Sequence, residues 1–183
     1  MLRQTAALLF ALLLSLPAAA LEKPTSVRLY ALECGRIEFK DMSLFADGDE
    51  YASTPGKMAD PCFLIVHPKG ILLWDTGLGD ALASKSDGET SAGLGIHTSM
   101  PATLKSQLQQ LKLKPEDIGY VGLSHLHFDH TSNLQQFQQA TWVISSQELA
   151  WASATPTPFG VDPSTFAGHD PAKLRGNAFD DDL

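Results

Sequence analysis

The chain has 183 residues, 44% hydrophobic and 19% charged, a balance that supports one folded domain and excludes a disordered, fibrous or low-complexity chain. Asp and Glu total 21 against 13 Lys and Arg, a net charge of −8 with no basic run, so nucleic acid is not an expected partner. Only 2 cysteines are present, which rules out a disulfide-framework miniprotein and a four-cysteine metal knuckle, so any metal chemistry falls to His and carboxylates.

The chain opens with Met1-Leu2-Arg3, an uncharged apolar run from Ala6 to Leu16, and the small residues Pro17-Ala18-Ala19-Ala20. This is the pattern of a secretory signal peptide over 1–20, cleaved after Ala20. The apolar run is shorter than the ~20 residues of a spanning helix. The remaining 21–183 is therefore expected to have no stable membrane span and to reside in the periplasm or outside the cell. An oxidising compartment would let Cys34 and Cys62 pair, the alternative being two buried thiols.

Alternation over Val27–Leu32, and again over Gly35–Phe39 after Cys34, predicts extended strands. The stretch 41–60, mixing Gly, Asp, Ser and Pro, predicts a surface loop. Cys62–His67 and Ile71–Trp74 are nearly all apolar and joined by the turn His67-Pro68-Lys69-Gly70, which predicts two consecutive strands in a sheet covered on both faces. Asp75 follows at the strand end, with a Gly/Ser/Asp-rich segment running to about Thr98. Leu104, Leu108 and Leu111 then share one face of a helix capped by Ser99, with Pro101 at an early position. Tyr120–Ser124 and Ala140–Ile144 predict two more buried strands, and Ser145 or Ser146 caps a short helix carrying Leu149, Ala150 and Trp151. Strands interleaved with helices indicate an α/β sheet.

The sequence His125-Leu126-His127-Phe128-Asp129-His130 leaves the strand at Tyr120–Ser124. His125 and His127, two apart in extended backbone, point the same way and can bind one cation. Asp129 and His130 fall where the chain turns, and a hard carboxylate beside an imidazole suits a borderline ion such as zinc. Histidines satisfied by carboxylates, or a solvated His-rich loop, are the plainer alternatives. Two neighbouring cations can share a hydroxide and polarise a carbonyl, which amounts to hydrolysis without a covalent enzyme intermediate. No Gly-x-Ser-x-Gly elbow offers the rival acyl-enzyme scheme.

His-x-His-x-Asp-His after a buried strand resembles the metallo-β-lactamase superfamily, and Leu72-Leu73-Trp74-Asp75-Thr76-Gly77 is similar to that superfamily's first motif. The layout from Tyr30 onward looks most like the N-acyl-homoserine lactonase branch. The resemblance implies an αββα sandwich, here its N-terminal portion only, and two zinc ions per full-length chain. It places His125 and His127 on the first zinc and Asp129 and His130 on the second, with Asp75 buttressing the metal loop. Asp129 would orient the bridging hydroxide and pass its proton to the leaving oxygen, opening a lactone in a quorum-quenching reaction. A β-lactamase or another hydrolase of the superfamily, and an inactive truncated fragment, are the alternatives it leaves.

The family's second-half Gly-His-x-x-Gly-His segment does not occur in this sequence. The domain over 21–183 therefore reads as incomplete at its C-terminus, with an apolar sheet face and a strand edge left without partners. His67 beside a turn and His169 in Gly168-His169-Asp170-Pro171 read as surface residues, whereas His97 could approach the site from a loop. Trp151–Gly160 reads either as a groove lining or as a Pro-containing surface loop. The end from Gly176 to Leu183 shows no packing pattern.

Overall fold

The computed structural model describes residues 24–170 and 173–177, so the proposed leader over 1–20 lies outside the described residues. In chain order the elements are strands β1 (Arg28–Phe39), β2 (Gly56–His67), β3 (Gly70–Trp74), β4 (Glu89–Thr90) and β5 (His97–Ser99), helix α1 (Leu104–Gln110), strand β6 (Tyr120–Gly122), helix α2 (Phe128–Thr131), strand β7 (Thr141–Ser145), helix α3 (Ser146–Ala152) and strand β8 (Leu174–Asn177). The strands form one mixed sheet in the order β4-β5-β1-β2-β3-β6-β7-β8. The half containing β1, β2 and β3 is antiparallel, and β3, β6, β7 and β8 run parallel.

The break in alternation at Cys34 is a bulge: register shifts between Glu33 and Arg36, and inward positions change from Leu32 and Cys34 to Ile37 and Phe39. A bulge leaves backbone groups without ladder partners. Gln107 of α1 supplies them, its Oε1 accepting from the Glu33 amide at 2.9 Å and its Nε2 donating to the Glu33 carbonyl at 2.9 Å. That pairing, with Leu104 and Leu108 fully buried against the sheet, seats α1 on one face. Each buried leucine contributes about 1.5–3 kcal/mol. Cys34 and Cys62 form a disulfide across β1 and β2, with Cα atoms 5.6 Å apart.

The other face is uncovered among the described residues. Its rows follow from the pairings Leu29–Ile65–Leu72–Tyr120 and Ala31–Phe63–Trp74–Gly122. Leu29 is 66% exposed, Tyr120 48% and Trp74 39%. The apolar character that predicts two covered faces is present, but among the described residues only one of the two faces has a cover.

Several local expectations are corrected. The stretch 41–60 is not loop throughout, because β2 begins at Gly56 and pairs with the second half of β1. Helix α1 starts later than its proline suggests: Thr103 is the cap, accepting from the Ser106 amide at 3.0 Å, and Asp80 reinforces the end by accepting from Leu104 N at 2.7 Å. Leu111 closes the helix instead of extending it. At α3 the cap is Ser145. Leu174–Asn177, part of which falls in the stretch read as unpacked, forms β8 beside β7.

Candidate metal centre

Parallel strands deliver chain ends to one edge of a sheet, and ligands gather beyond the carboxyl ends of such strands. At that edge β3 releases Asp75 and β6 releases Ser124 and His125. Asp75 adopts φ +58°, which reverses the chain, and Gly77 follows at φ +68°. Only glycine fits at 77, since a Cβ there would lie 2.3 Å from Cys34 Cβ. The turn is tied to both sides of the sheet: the Leu78 amide donates to the Cys34 carbonyl at 3.0 Å and the Thr76 amide to the His130 carbonyl at 2.8 Å. Asn133 closes it from beneath, donating to the carbonyls of Thr76 at 2.9 Å and Leu78 at 2.7 Å.

The His-rich loop folds over this turn. Leu126 is fully buried as its anchor, and its amide donates to Glu148 Oε1 of α3 at 2.9 Å. His127 precedes α2, which places Asp129 in the first turn and His130 in the last. His125 and His130 lie with ring centroids 4.1 Å apart, and His125 and His127 with centroids 4.6 Å apart. Donor atoms of His125, Asp129 and His130 all lie within 4.8 Å of one another. His127 falls outside that trio, held between the Trp151 indole, 5.7 Å away by ring centroids, and the backbone of Gly160.

Asp75, only 4% exposed, is the hub beneath them. Its Oδ1 accepts from the Ser124 amide at 2.8 Å, and its Oδ2 accepts from Ser124 Oγ at 2.8 Å and faces His130 Nδ1 at 3.0 Å. The opposite nitrogen of His130, Nε2, lies 3.5 Å from Asp129 Oδ2. Burial disfavours the imidazolium form of His130, but hydrogen bonds and charge from Asp129 and Asp75 prevail and lift its pKa to about 10. For Asp129, burial pushes upward, and His130 overrides it and holds the carboxyl below its usual range. His125 is held below the ordinary histidine value by burial first, then by its neighbours His130 and His127.

This donor set fits a divalent ion of the zinc kind. His125, whose Nδ1 faces Ser124 Oγ at 3.1 Å, is held toward the neutral imidazole that coordination needs, Asp129 is held toward its ionised form, and a cation would take the place of the proton between Asp129 and His130. The remaining histidines lie elsewhere. His97 sits in β5, its Nδ1 paired with Thr90 Oγ1 at 2.9 Å, and His67 accepts from the Lys69 amide at 3.0 Å in the hairpin turn. His169 is no free surface residue, because it stacks on Trp142 with centroids 3.6 Å apart.

A family model described as "Metallo-beta-lactamase superfamily" matches residues 57–182, and the chain belongs to that superfamily. It is 29% identical to the N-acyl homoserine lactonase AttM of Azorhizobium caulinodans over 134 residues, covering 70% of this chain and 49% of the relative. It is 26% identical to an N-acyl homoserine lactonase of Bacillus thuringiensis over 132 residues, covering 68% of this chain and 50% of that one. The chain thus spans about half the length of the curated relatives it matches. In fold it is similar to an N-acyl homoserine lactone hydrolase solved with N-hexanoyl-L-homoserine at its metal centre, at TM-score 0.67 and 21% identity, covering 83% of this chain and 60% of that one. It is also similar to AidC, a dizinc quorum-quenching lactonase, at TM-score 0.58 and 20% identity, covering 86% and 60%. The α/β architecture is that of the metallo-β-lactamase fold, which implies a divalent metal.

Sequence reasoning passed over four residues that the structure brings to this centre. Ser124 stands inside the motif and offered a signal, as a hydroxyl beside the first histidine. Asn133 and Glu148 act through backbone groups that only folding brings near. Asp60, on β2, is 4% exposed and has no hydrogen-bond partner for either carboxylate oxygen. Burial raises its pKa to about 7, with His130 opposing that rise and Asp129 and Asp75 adding to it.

Proposed function

We propose that this chain carries the metal-binding half-site of an exported dinuclear zinc hydrolase that opens N-acyl-homoserine lactones. The observation that carries the reading is the convergence of His125, Asp129 and His130 above a buried Asp75, in a chain whose curated relatives are named as lactonases of that substrate. His127 is assigned with His125 to the first ion, and Asp129 and His130 to the second. Export is supported by the leader pattern over 1–20 and by the Cys34–Cys62 disulfide, a bond favoured in oxidising compartments.

When bound, the divalent ions supply Lewis acidity, polarising the ester carbonyl and acidifying water. The chain's residues do the rest. Asp75 holds Nδ1 of His130, so that Nε2 faces the site. Asp129, ionised and beside His130, accepts the proton of the attacking water and returns it to the ring oxygen when the C–O bond breaks. The net change is one water added and one N-acyl homoserine released. Trp151, 42% exposed beside His127, and Phe159, 65% exposed, give the acyl chain an apolar surface.

The test is acid release from N-hexanoyl-homoserine lactone by the zinc-loaded protein, with a chelated control and Asp129→Asn. Turnover that chelation abolishes and Asp129→Asn lowers at least about 100-fold is expected. No turnover with two zinc ions bound per chain refutes the substrate, and turnover that survives chelation refutes the chemistry.

A further inference from the structure

Asp60 is a carboxylate that neither the fold nor the proposed chemistry uses. On β2 it shares the covered face with Cys62 and Leu64, where an apolar side chain would serve the packing. Neither of its oxygens receives a hydrogen bond. The Leu78 amide lies near enough to favour the charged form of Asp60, but its hydrogen bond goes to the Cys34 carbonyl at 3.0 Å. The carboxylate is wedged rather than loose: a Cβ on Gly35 would lie 2.8 Å from Asp60 Oδ2 and 2.6 Å from Leu78 Cδ1. Asp60 therefore lies directly under the turn 75–79, whose first residue holds His130.

A buried carboxylate without donors is unfavourable, and such groups occur where an ion or a charge partner compensates them. The charged groups that act on Asp60 are those of the centre itself: His130, Asp129 and Asp75. We infer that Asp60 is a positioning carboxylate of the metal centre, whose charge beneath the turn 75–79 strengthens the binding of divalent cations at His125, Asp129 and His130 without coordinating them. The inference rests on the metal-ligand reading of those residues and not on the lactone substrate.

Two variants of the full chain, Asp60→Asn and Asp60→Val, test it through two measurements. The first is zinc affinity by competition with a chromogenic chelator, and the second is the thermal unfolding midpoint in excess chelator. Removing a purely structural group lowers both, whereas removing an uncompensated charge moves them in opposite directions. Both variants are expected to melt higher than the parent when metal-free, and to bind zinc roughly tenfold more weakly, the scale of supporting groups around metal ligands. If only one variant folds, its pair of values decides. Zinc affinity within twofold of the parent overturns the inference, as does a lowered metal-free midpoint or a parent that takes up no zinc. Lactone hydrolysis followed in parallel separates the two claims: a parent that binds zinc and leaves the lactone intact refutes the substrate alone.

Discussion

Replacing Asp75 by asparagine keeps the side chain's shape and removes its charge, which isolates the interaction that aims His130. Asparagine tolerates the φ of +58° at this position, so the turn is not strained. The Ser124 amide keeps its acceptor, and the Ser124 hydroxyl can rotate to accept from the new amide nitrogen. What is lost is the charge-assisted contact with His130 Nδ1, 3.0 Å long and largely shielded from water. A hydrogen bond of that kind contributes about 2 kcal/mol. In a chain of this size that lowers the unfolding midpoint by about 6 °C, and the His130 pKa falls by about 1.5 from its value of about 10. The sign of the pH dependence follows. The folded pKa of His130 lies above the unfolded value of about 6.5, so its stabilisation is complete below that pH and is lost as pH rises through about 10. The unfolded value is common to both proteins, so the gap between parent and variant is full below about pH 8.5 and closes between about pH 8.5 and 10. Circular-dichroism melts in chelator across that range, with an NMR titration of His130, measure both quantities. Equal midpoints below pH 6.5, or an unchanged His130 titration, refute Asp75 as the group that holds this imidazole.

Two further experiments probe the supports of the loop. Breaking the Cys34–Cys62 bridge, which closes a sequence separation of 28, by Cys34→Ala with Cys62→Ala destabilises the fold by about 3.5 kcal/mol on the chain-entropy account. A guanidinium titration reads this as a lowered midpoint, and an unchanged midpoint refutes the account. Gly160→Ala puts a methyl 3.0 Å from His127 Cδ2 at φ +78°, whereas Gly168→Ala meets nothing within 4 Å at φ +74°. Both variants bear about 1–2 kcal/mol of backbone strain. Zinc titration is expected to show weakened binding for Gly160→Ala alone, and equal affinities in the two refute a role for that contact in seating His127.

The strands and the motif are legible in the sequence because their signals are local. Apolar runs at Cys62–His67, Ile71–Trp74, Tyr120–Ser124 and Ala140–Ile144 follow from side chains that share a pleated surface, and β2, β3, β6 and β7 lie where those runs stand, β2 with a start six residues earlier than its run. The break of alternation at Cys34 is a bulge seen as a change of parity. Helix α1 begins later than Pro101 suggests because Asp80, far upstream, accepts its first amides. Asp60 escaped notice for a related reason. Its neighbours from 41 to 60 are polar enough to predict a loop, and only pairing between β1 and β2 turns that stretch inward.

By itself the sequence determined the spacing of His125, His127, Asp129 and His130, the strand that launches them, and the scarcity of cysteine that leaves metal chemistry to imidazoles and carboxylates. Tertiary structure decided which donors converge, what stands behind them, and which carboxylate is left buried without a donor. The physical reason is range: periodicity and motif spacing act over a few residues, whereas Asp75 meets His130 across 55 positions. Burial, which sets the charge of both His130 and Asp60, exists only once the sheet has brought those distant segments together.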